Sequence, residues 1–584
     1  MTRSKSDPSS RIILPGEGDL LHDCMGSWRK DDTCLTAWTP GADSEFESLS
    51  FEAFQTLSER AAGWMEQGGV NEKDVVILLV RDPALLMAAF WGAVLRGAVP
   101  AILAYPNFKM DAQKYASGLQ GVTARTGASL VVIDAGFPRE LQERIYLPAA
   151  SSLREMTRAS LDAAQRSGVV PATPDRPVLL QHSAGTTGLQ KGVCLTHRQV
   201  LRQLRKLARH LELDRTDCFA SWLPLYHDMG LITSFLLPLA AGLPVVVQSP
   251  DEWVVRPVSY LRLVARFRAT RSWLPNFAFS FLARKVPPDQ RIGLDLSSVR
   301  SLVNCSEPVT HAAMESFRAA FQACGLAPSA LETSYALAEN VFSVTHSSRG
   351  HARATVEVDA SCLSVGGRVR ERRVGGRTLT LVSSGTCLEN TEVKICGHAG
   401  NRLGEREIGE LWIRSDCLFG GYFDGTDGGS GIEEGWFRTG DVGFLHQGEL
   451  YVLGRLDDII IIGGRNVHPA DVEELVSRHP AIHPGRAVAF GVRSRDSGTQ
   501  DLVVVAEANT DRDLLQAPTI QGSLREQIVS YLGLAPRAVR VVKRGWTVKS
   551  TAGKPARGAT RERFLEQNPD LVKEYKWIPD PWNS

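Results

Sequence analysis

Apolar positions along this chain alternate between helical and strand spacing. Phe51 to Gln67 reads as an amphipathic helix, Asp74 to Val80 as a buried strand, Pro83 to Arg96 as a helix and Ser129 to Asp134 as another strand. Helices interleaved with short β-rich runs predict α/β units built on mostly parallel sheets. The stretch from Met229 to Val247 carries no charge and is long enough to consider a membrane span. Gly230, Pro238, Gly242 and Pro244 interrupt it, so a buried helix, a turn and a buried strand over Leu243 to Gln248 is the better reading. Thr355 to Val382 changes character: rich in Arg, Val and Gly, it predicts short antiparallel strands with turns. Asp424 to Ser430 reads as a loop. After Arg455 the pattern is that of a smaller α+β unit. It has a helix near Ala470 to Arg478, strands at Ala487 to Gly491 and Leu502 to Glu507, and a helix near Ile520 to Leu532. The best single cut falls near Asp457.

A chain of 584 residues is too long for one ordinary core, so at least two domains are expected. Hydrophobic residues make up 43% and charged residues 22%, ordinary for a globular protein. The net charge of +1 offers no concentrated basic face for nucleic acid, and the local group Arg266, Arg268 and Arg271 reads as a solvated helix face. Ten cysteines are scattered without a C-x-x-C pair, which argues against a metal cage or a disulfide framework. Reduced cysteines, together with a polar Met1 to Arg11 that lacks an apolar leader, suit a cytoplasmic protein without a membrane span.

The strongest chemical signal is LLQHSAGTTGLQKGVCLTH, Leu179 to His197. An apolar run feeds a loop of small residues, whose backbone N–H groups are free to converge on one anion. The hydroxyls of Ser183, Thr186 and Thr187 add donors, Gly188 keeps the loop tight, and Lys191 adds a positive charge. Such loops also occur as plain surface turns, but the buried strand before this one and the lysine after it favour phosphate binding. It is not a Walker A loop: Gly192 follows Lys191 where a Mg2+-binding hydroxyl belongs, so another carboxylate must hold the metal.

That loop resembles the phosphate loop of the adenylate-forming superfamily, which includes acyl-CoA synthetases, peptide-synthetase adenylation domains and luciferases. The resemblance continues in order over nearly the whole chain. It takes in WLPLYHDMGLI (Trp222 to Ile232), NCSEPV (Asn304 to Val309), YALAE (Tyr335 to Glu339), and Gly409 to Arg414 with Gly421 to Phe423. It goes on through GWFRTGD (Gly435 to Asp441), GRLDD (Gly454 to Asp458) and TAGKPAR (Thr551 to Arg557). It implies a large N-terminal region of layered sheets and helices, residues 1–456, and a small mobile C-terminal α+β domain, residues 457–584, rotating about Asp457. By the same resemblance Ser306, Glu307, Pro308, Tyr335 and Ala338 surround the adenine, and Asp441 and Arg455 hold the ribose and phosphate. Glu339 binds Mg2+, and His227 borders the acyl carboxylate as a positioning group. Each assignment also makes chemical sense. A carboxylate suits a hard cation, a tyrosine ring stacks on a base, and an aspartate accepts from two hydroxyls. On residue type alone, a core tyrosine, a turn aspartate, a salt-bridged arginine or a helix-capping histidine fits equally well. Lys554 would otherwise be a solvated charge. The resemblance carries it into the site, where a cation stabilises the approach of carboxylate to α-phosphate.

Within the superfamily the chain resembles the fatty acyl-AMP ligase branch. YALAEN, NCSEPV and DDIIIIGGRNVHPADVE resemble its signatures, and Val356 to Gly385 resembles the region of its insertion. That branch uses ATP and Mg2+ and passes the acyl group to the phosphopantetheine thiol of an acyl carrier protein. The alternative is an acyl-CoA synthetase using free coenzyme A. A fold retained without turnover is the rival of another class. Gln190, Cys305, Ala336, Ser384 and Thr386 depart from the branch's usual residues. Trp222, Leu223, Trp273, Phe277, Phe279 and Phe281 are candidates for an apolar acyl pocket or, taken singly, for plain core. No aspartate for an α-amine is evident, which favours a fatty or other non-amino acyl chain.

Overall fold

The computed structural model describes residues 12–16, 18–38, 46–106, 112–182, 192–348, 350, 353–371, 378–397, 399–423, 431–462, 465–493, 500–549 and 555–568. The α/β architecture expected from the alternating pattern is present. Phe51–Gln67 and Pro83–Leu95 are helices and Val75–Leu79 and Leu130–Ile133 are strands, each within a residue or two of the hydrophobic pattern. The Ser50 hydroxyl and the Asp82 carboxylate cap these helices by accepting from Ala53 N and Leu85 N. The second helix is apolar all round because sheets and helices enclose it on every side.

Among the described residues two large sheets dominate. The first has nine strands, in the spatial order Thr386–Cys387, Ser343–His346, Leu331–Ala336, Ser301–Cys305, Arg271–Pro275, Phe219–Ser221, Val245–Val247, Thr33–Trp38 and Phe46–Ser50. Its inner strands pair in parallel and its edges antiparallel. The second has six strands, of which only the last pair, Pro177–His182 with Gly192–Thr196, runs antiparallel. The glycine-rich loop therefore leaves and re-enters the sheet at neighbouring positions, with His182 opposite Gly192. A third, antiparallel sheet of five strands follows over Thr391–Arg455. From Ile460 onward a separate apolar cluster gathers Val472, Val504, Leu524 and Val539 around a three-stranded sheet.

The uncharged stretch Met229–Val247 folds inside the protein. Helical turns run from Asp228 to Ala241, Gly242 ends them at φ +62°, and the strand Val245–Val247 follows. Among the described residues no helix is long and apolar enough to cross a membrane.

The expected solvated arginine face is corrected by the fold. Arg271 opens a central strand, and its side chain and that of Asp217 are both 0% exposed. Its guanidinium donates to Asp217 Oδ1 at 2.9 Å and Oδ2 at 3.2 Å, to Ser301 Oγ at 2.7 Å and to the Leu211 carbonyl at 3.0 Å. One buried cation thus joins two strands, the end of the helix His197–His210 and the turn before Phe219. Arg266, by contrast, lies over the Phe46 ring at 4.3 Å, and Arg268 is exposed. Periodicity alone could not separate the three, because Arg268 turns the chain at φ +49° between helix and strand.

Two consequences are measurable. Asp217→Ala strands the buried guanidinium and is expected to cost about 3–5 kcal/mol; Glu392→Ala, which breaks the exposed pair with Arg414, should cost at most about 1 kcal/mol. Denaturant midpoints of the two variants test this, and equal midpoints contradict it. The second concerns His197, whose Nδ1 accepts the Leu21 N–H at 3.0 Å and so must be unprotonated. Burial, with lesser effects from His22 and Arg176, lowers its pKa from 6.5 to about 4. The unfolded chain therefore binds the extra proton, and the histidine's contribution is full above pH 6.5 and lost as pH falls towards about 4. His197→Gln should flatten the fall in melting temperature over that window, and an unchanged slope refutes it.

Candidate active site

The sheet's parallel strands bring the sequence motifs together. Trp222–Ile232 leaves the carboxyl end of Phe219–Ser221, Ser306–Val309 that of Ser301–Cys305, and Leu337–Asn340 that of Leu331–Ala336. All three exit at the edge where open α/β sheets bind ligands. Two of the exits are strained. Ser306 sits at φ +70° and Val341 at φ +63°, a region that a β-branched residue rarely enters. Phe342 N donates to Asn340 O at 2.7 Å, which closes a tight turn around Val341. Strain of this kind persists only where the surroundings over-determine the backbone.

Tyr335, at the end of its strand, is buried and donates its hydroxyl to Asp441 Oδ2 at 2.5 Å. Asp441 lies on the strand Trp436–His446 of the third sheet, opposite Arg455 on Glu449–Arg455. Arg455 Nε is 3.3 Å from Asp441 Oδ1, and its Nη2 donates to the Thr439 carbonyl at 3.1 Å. Thr439 Oγ1 accepts from the Asp441 N–H at 3.0 Å and donates to the Leu411 carbonyl. Burial pushes the Asp441 carboxyl up, against the pull of Arg455, and drives the Tyr335 phenol well above its usual range. The Arg455 side chain is 64% exposed, although two of its guanidinium nitrogens meet Asp441 and the Thr439 carbonyl.

Glu339 follows in a short 3-10 turn, Ala338–Asn340, with Ala338 buried beneath it. Its Oε1 accepts from the Tyr422 hydroxyl at 2.9 Å and its backbone carbonyl from Phe419 N at 2.8 Å. Burial raises its carboxyl, and Tyr422 works against that rise. Among the described residues no group of three or more His, Cys, Asp or Glu side chains could cage a metal ion. The nearby Asp228 charge adds to the rise of the Glu339 carboxyl, and a Glu339 carboxylate is a donor of the kind that suits Mg2+ taking its remaining ligands from phosphate and water.

Glu307 has a structural task. Its Oε2 accepts from Phe277 N at 2.9 Å and so caps the helix Asn276–Lys285, which leaves Ser306 and Pro308 beside it, half-buried. His227 caps the turn Asp228–Leu231, where the Met229 N–H points at both His227 Nδ1 (3.2 Å) and Asp228 Oδ1 (2.7 Å). Gly230 in that turn is irreplaceable, since a Cβ there would lie 2.2 Å from the Pro224 carbonyl oxygen. Of the aromatic candidates, Trp222 stacks on Trp253 at 3.8 Å, Phe277 and Phe281 meet that pair edge-on or tilted, and Trp273 stacks on Phe219 in the sheet. Phe279 packs on Phe317, away from the tryptophan pair. Ser183, Thr186, Thr187, Gly188, Lys191 and Lys554 lie outside the described residues, whereas Asp457 is exposed in the turn Leu456–Asp458. Residue-by-residue reading passed over Tyr422, Thr439 and Trp253. The glycine pair Gly420–Gly421 before Tyr422 is the one local signal among them.

The chain as a whole is similar to known proteins. The AMP-binding enzyme family model matches residues 27–423. Medium-chain-fatty-acid--[acyl-carrier-protein] ligase JamA of Moorena producens is 28% identical over 90% of this chain and 91% of its own length. Probable long-chain-fatty-acid--AMP ligase FadD30 of Mycobacterium tuberculosis is 30% identical over 66% of this chain and 69% of its own. A solved structure from a study of fatty acyl-adenylate ligases of E. coli and L. pneumophila superposes with a TM-score of 0.85 at 26% identity. It covers 94% of this chain and 98% of that one. With its motifs converging at the sheet edge and a family model that spans most of its length, this chain belongs to the AMP-binding enzyme family.

Proposed function

We propose that the protein activates a fatty or related carboxylic acid with ATP as an acyl-adenylate and transfers the acyl group to the phosphopantetheine thiol of an acyl carrier protein. The observation that carries this reading is the Tyr335–Asp441–Arg455 link, which joins two sheets where the motifs converge. The half-buried Asp441 carboxylate meets Tyr335 at Oδ2 and Arg455 at Oδ1, and its remaining lone pairs suit ribose hydroxyls, while the Arg455 fork suits phosphate. Ser306, Glu307, Pro308, Tyr335 and Ala338 form the adenine wall, with Glu307 acting through the helix it caps. Ser183, Thr186, Thr187, Gly188 and Lys191 hold the outer phosphates. Glu339 holds Mg2+, which when bound neutralises phosphate charge. The substrate carboxylate is already the nucleophile, so the protein contributes position and charge. His227, fixed as a cap, orients the carboxylate, and Lys554 supplies the cation at the α-phosphate. The relatives named for fatty acids and for an acyl carrier protein, matched along most of their length, support the substrate and acceptor.

The acceptor reading draws further support from the ribbon Thr355–Asp359 with Thr378–Val382. Val358, Leu363 and Val369 pack against Val442, Phe444, Tyr451, Leu453 and Ile459. Beyond Asp457, His468 Nε2 meets the Leu363 carbonyl at 3.0 Å. The segment thus grips both sides of the proposed hinge, in keeping with an insertion that restrains a domain over residues 457–584. A further contact to that unit comes from the helix capped by Glu307. Its Arg284 donates to Ile482 O at 3.2 Å and its Lys285 to Asn509 Oδ1 at 3.1 Å.

Lys554→Ala should lower carboxylate-dependent ATP–pyrophosphate exchange by at least about a hundredfold, the scale of losing one transition-state charge partner. ATP binding should stay within a few-fold, and near-normal exchange removes Lys554 from the reaction. Pyrophosphate release with fatty acids of graded length, followed by mass analysis with carrier protein or coenzyme A as acceptor, tests the whole scheme. An acylated carrier protein without acyl-CoA is the expected outcome, acyl-CoA moves the protein to the synthetase alternative, and no release with any acid sinks the scheme.

A further inference from the structure

We infer that Tyr422 is a positioning residue that fixes Glu339 for the metal–phosphate group and ties it to the end of the glycine-rich loop; this rests on the reading of Glu339 as the Mg2+ ligand. The inference comes from one short segment that makes every connection at once. Leu418 O accepts from Gln199 Nε2 at 2.5 Å. Phe419 N donates to the Glu339 carbonyl at 2.8 Å, and the Tyr422 hydroxyl donates to Glu339 Oε1 at 2.9 Å. The backbone of Tyr422 bridges to Val193, and Phe423 N donates to Gly192 O at 2.8 Å. Gly192 and Val193 are the first described residues after the loop 183–191. Both the main chain and the side chain of Glu339 are therefore referenced to the same short segment, residues 418–423, that pairs with Gly192 and Val193.

The chemistry of the contact suits this task. A carboxylate that must meet a cation at one oxygen is better held when a neutral donor occupies the other, because the donor removes rotamer freedom without adding a competing charge. A phenol does this at the end of a rigid ring. Here the ring is packed edge-on against Phe419, with centroids 4.9 Å apart, and Phe419 in turn meets Phe437, four residues before Asp441 on the same strand. The clasp therefore shares its footing with the Tyr335–Asp441 link. Ring packing alone would need only phenylalanine, so the hydroxyl is the part with a functional consequence.

The test is a titration of Mn2+, read by electron paramagnetic resonance as loss of the free-ion signal. The full chain is used in the presence of a non-hydrolysable ATP analogue, with melting curves as the fold control. Tyr422→Phe keeps the ring and removes the donor, and Mn2+ should bind about tenfold more weakly, the usual scale for losing an outer-sphere partner. Glu339→Gln should weaken it at least as much, and the double variant should be no weaker than Glu339→Gln alone, since the tyrosine acts only through that carboxylate. Phe419→Leu, which disturbs the packing and leaves the hydroxyl, should stay within about twofold of the parent chain. If Glu339→Gln weakens binding while Tyr422→Phe does not, or if the two effects add, the positioning role is overturned and the metal reading stands. A Phe419→Leu loss equal to that of Tyr422→Phe assigns the effect to packing and overturns it too. If Glu339→Gln leaves Mn2+ affinity unchanged, the metal reading itself fails first.

Discussion

The hydrogen bond from Tyr335 to Asp441 is the joint on which the site hangs. It crosses 106 residues of sequence and connects the central parallel sheet to the antiparallel sheet that follows it. At 2.5 Å, with a half-buried carboxylate as acceptor, it belongs to the stronger class of hydrogen bond. Tyr335 sits near the end of its strand and Asp441 midway along Trp436–His446, so neither sheet alone holds the geometry. Arg455, paired with Asp441 across the hairpin, leads within two residues to Asp457. The residue proposed to hold the nucleotide and the one proposed to let the C-terminal unit turn are therefore neighbours.

Around this joint the protein accepts local cost. Ser306 and Val341 hold positive φ, Glu339 and Asp441 have carboxyls raised by burial, and Arg271 is buried with its counter-ion. The first four surround the proposed nucleotide site, and the last braces the sheet that presents it. Rigidity at the sheet and strain at its carboxyl edge are two sides of one construction. Strained turns survive only on strands that do not yield; the Arg271–Asp217 network reaches Ser301 on the strand that leads to Ser306, and Ser301 Oγ donates in turn to Glu332 Oε1 at 3.1 Å on the strand that leads to Val341.

Much of the fold was legible in the chain. Helices such as Phe51–Gln67 emerged at their full length because cap, apolar stripe and exit agree locally. The uncharged run Met229–Val247 was correctly read as buried because its glycines and prolines break it into pieces too short to span a bilayer. Arg271 was misread, since a charged residue on a strand is normally at the surface and nothing within a few residues announces Asp217, which lies 54 positions away. Tyr422 escaped residue-level notice for the same reason: its partner is 83 positions upstream.

The sequence by itself determined which motifs exist, their order, and hence the family and the adenylate-forming chemistry, because short patterns of glycine, hydroxyl and charge carry that information locally. Only the tertiary structure decided that Glu307 caps a helix and that the 355–382 ribbon reaches His468. It alone showed that one tyrosine holds Glu339 and another holds Asp441. Those are pairings between side chains far apart in sequence. Their partners are chosen by which strand ends the parallel sheet sets side by side, and no local pattern encodes that choice.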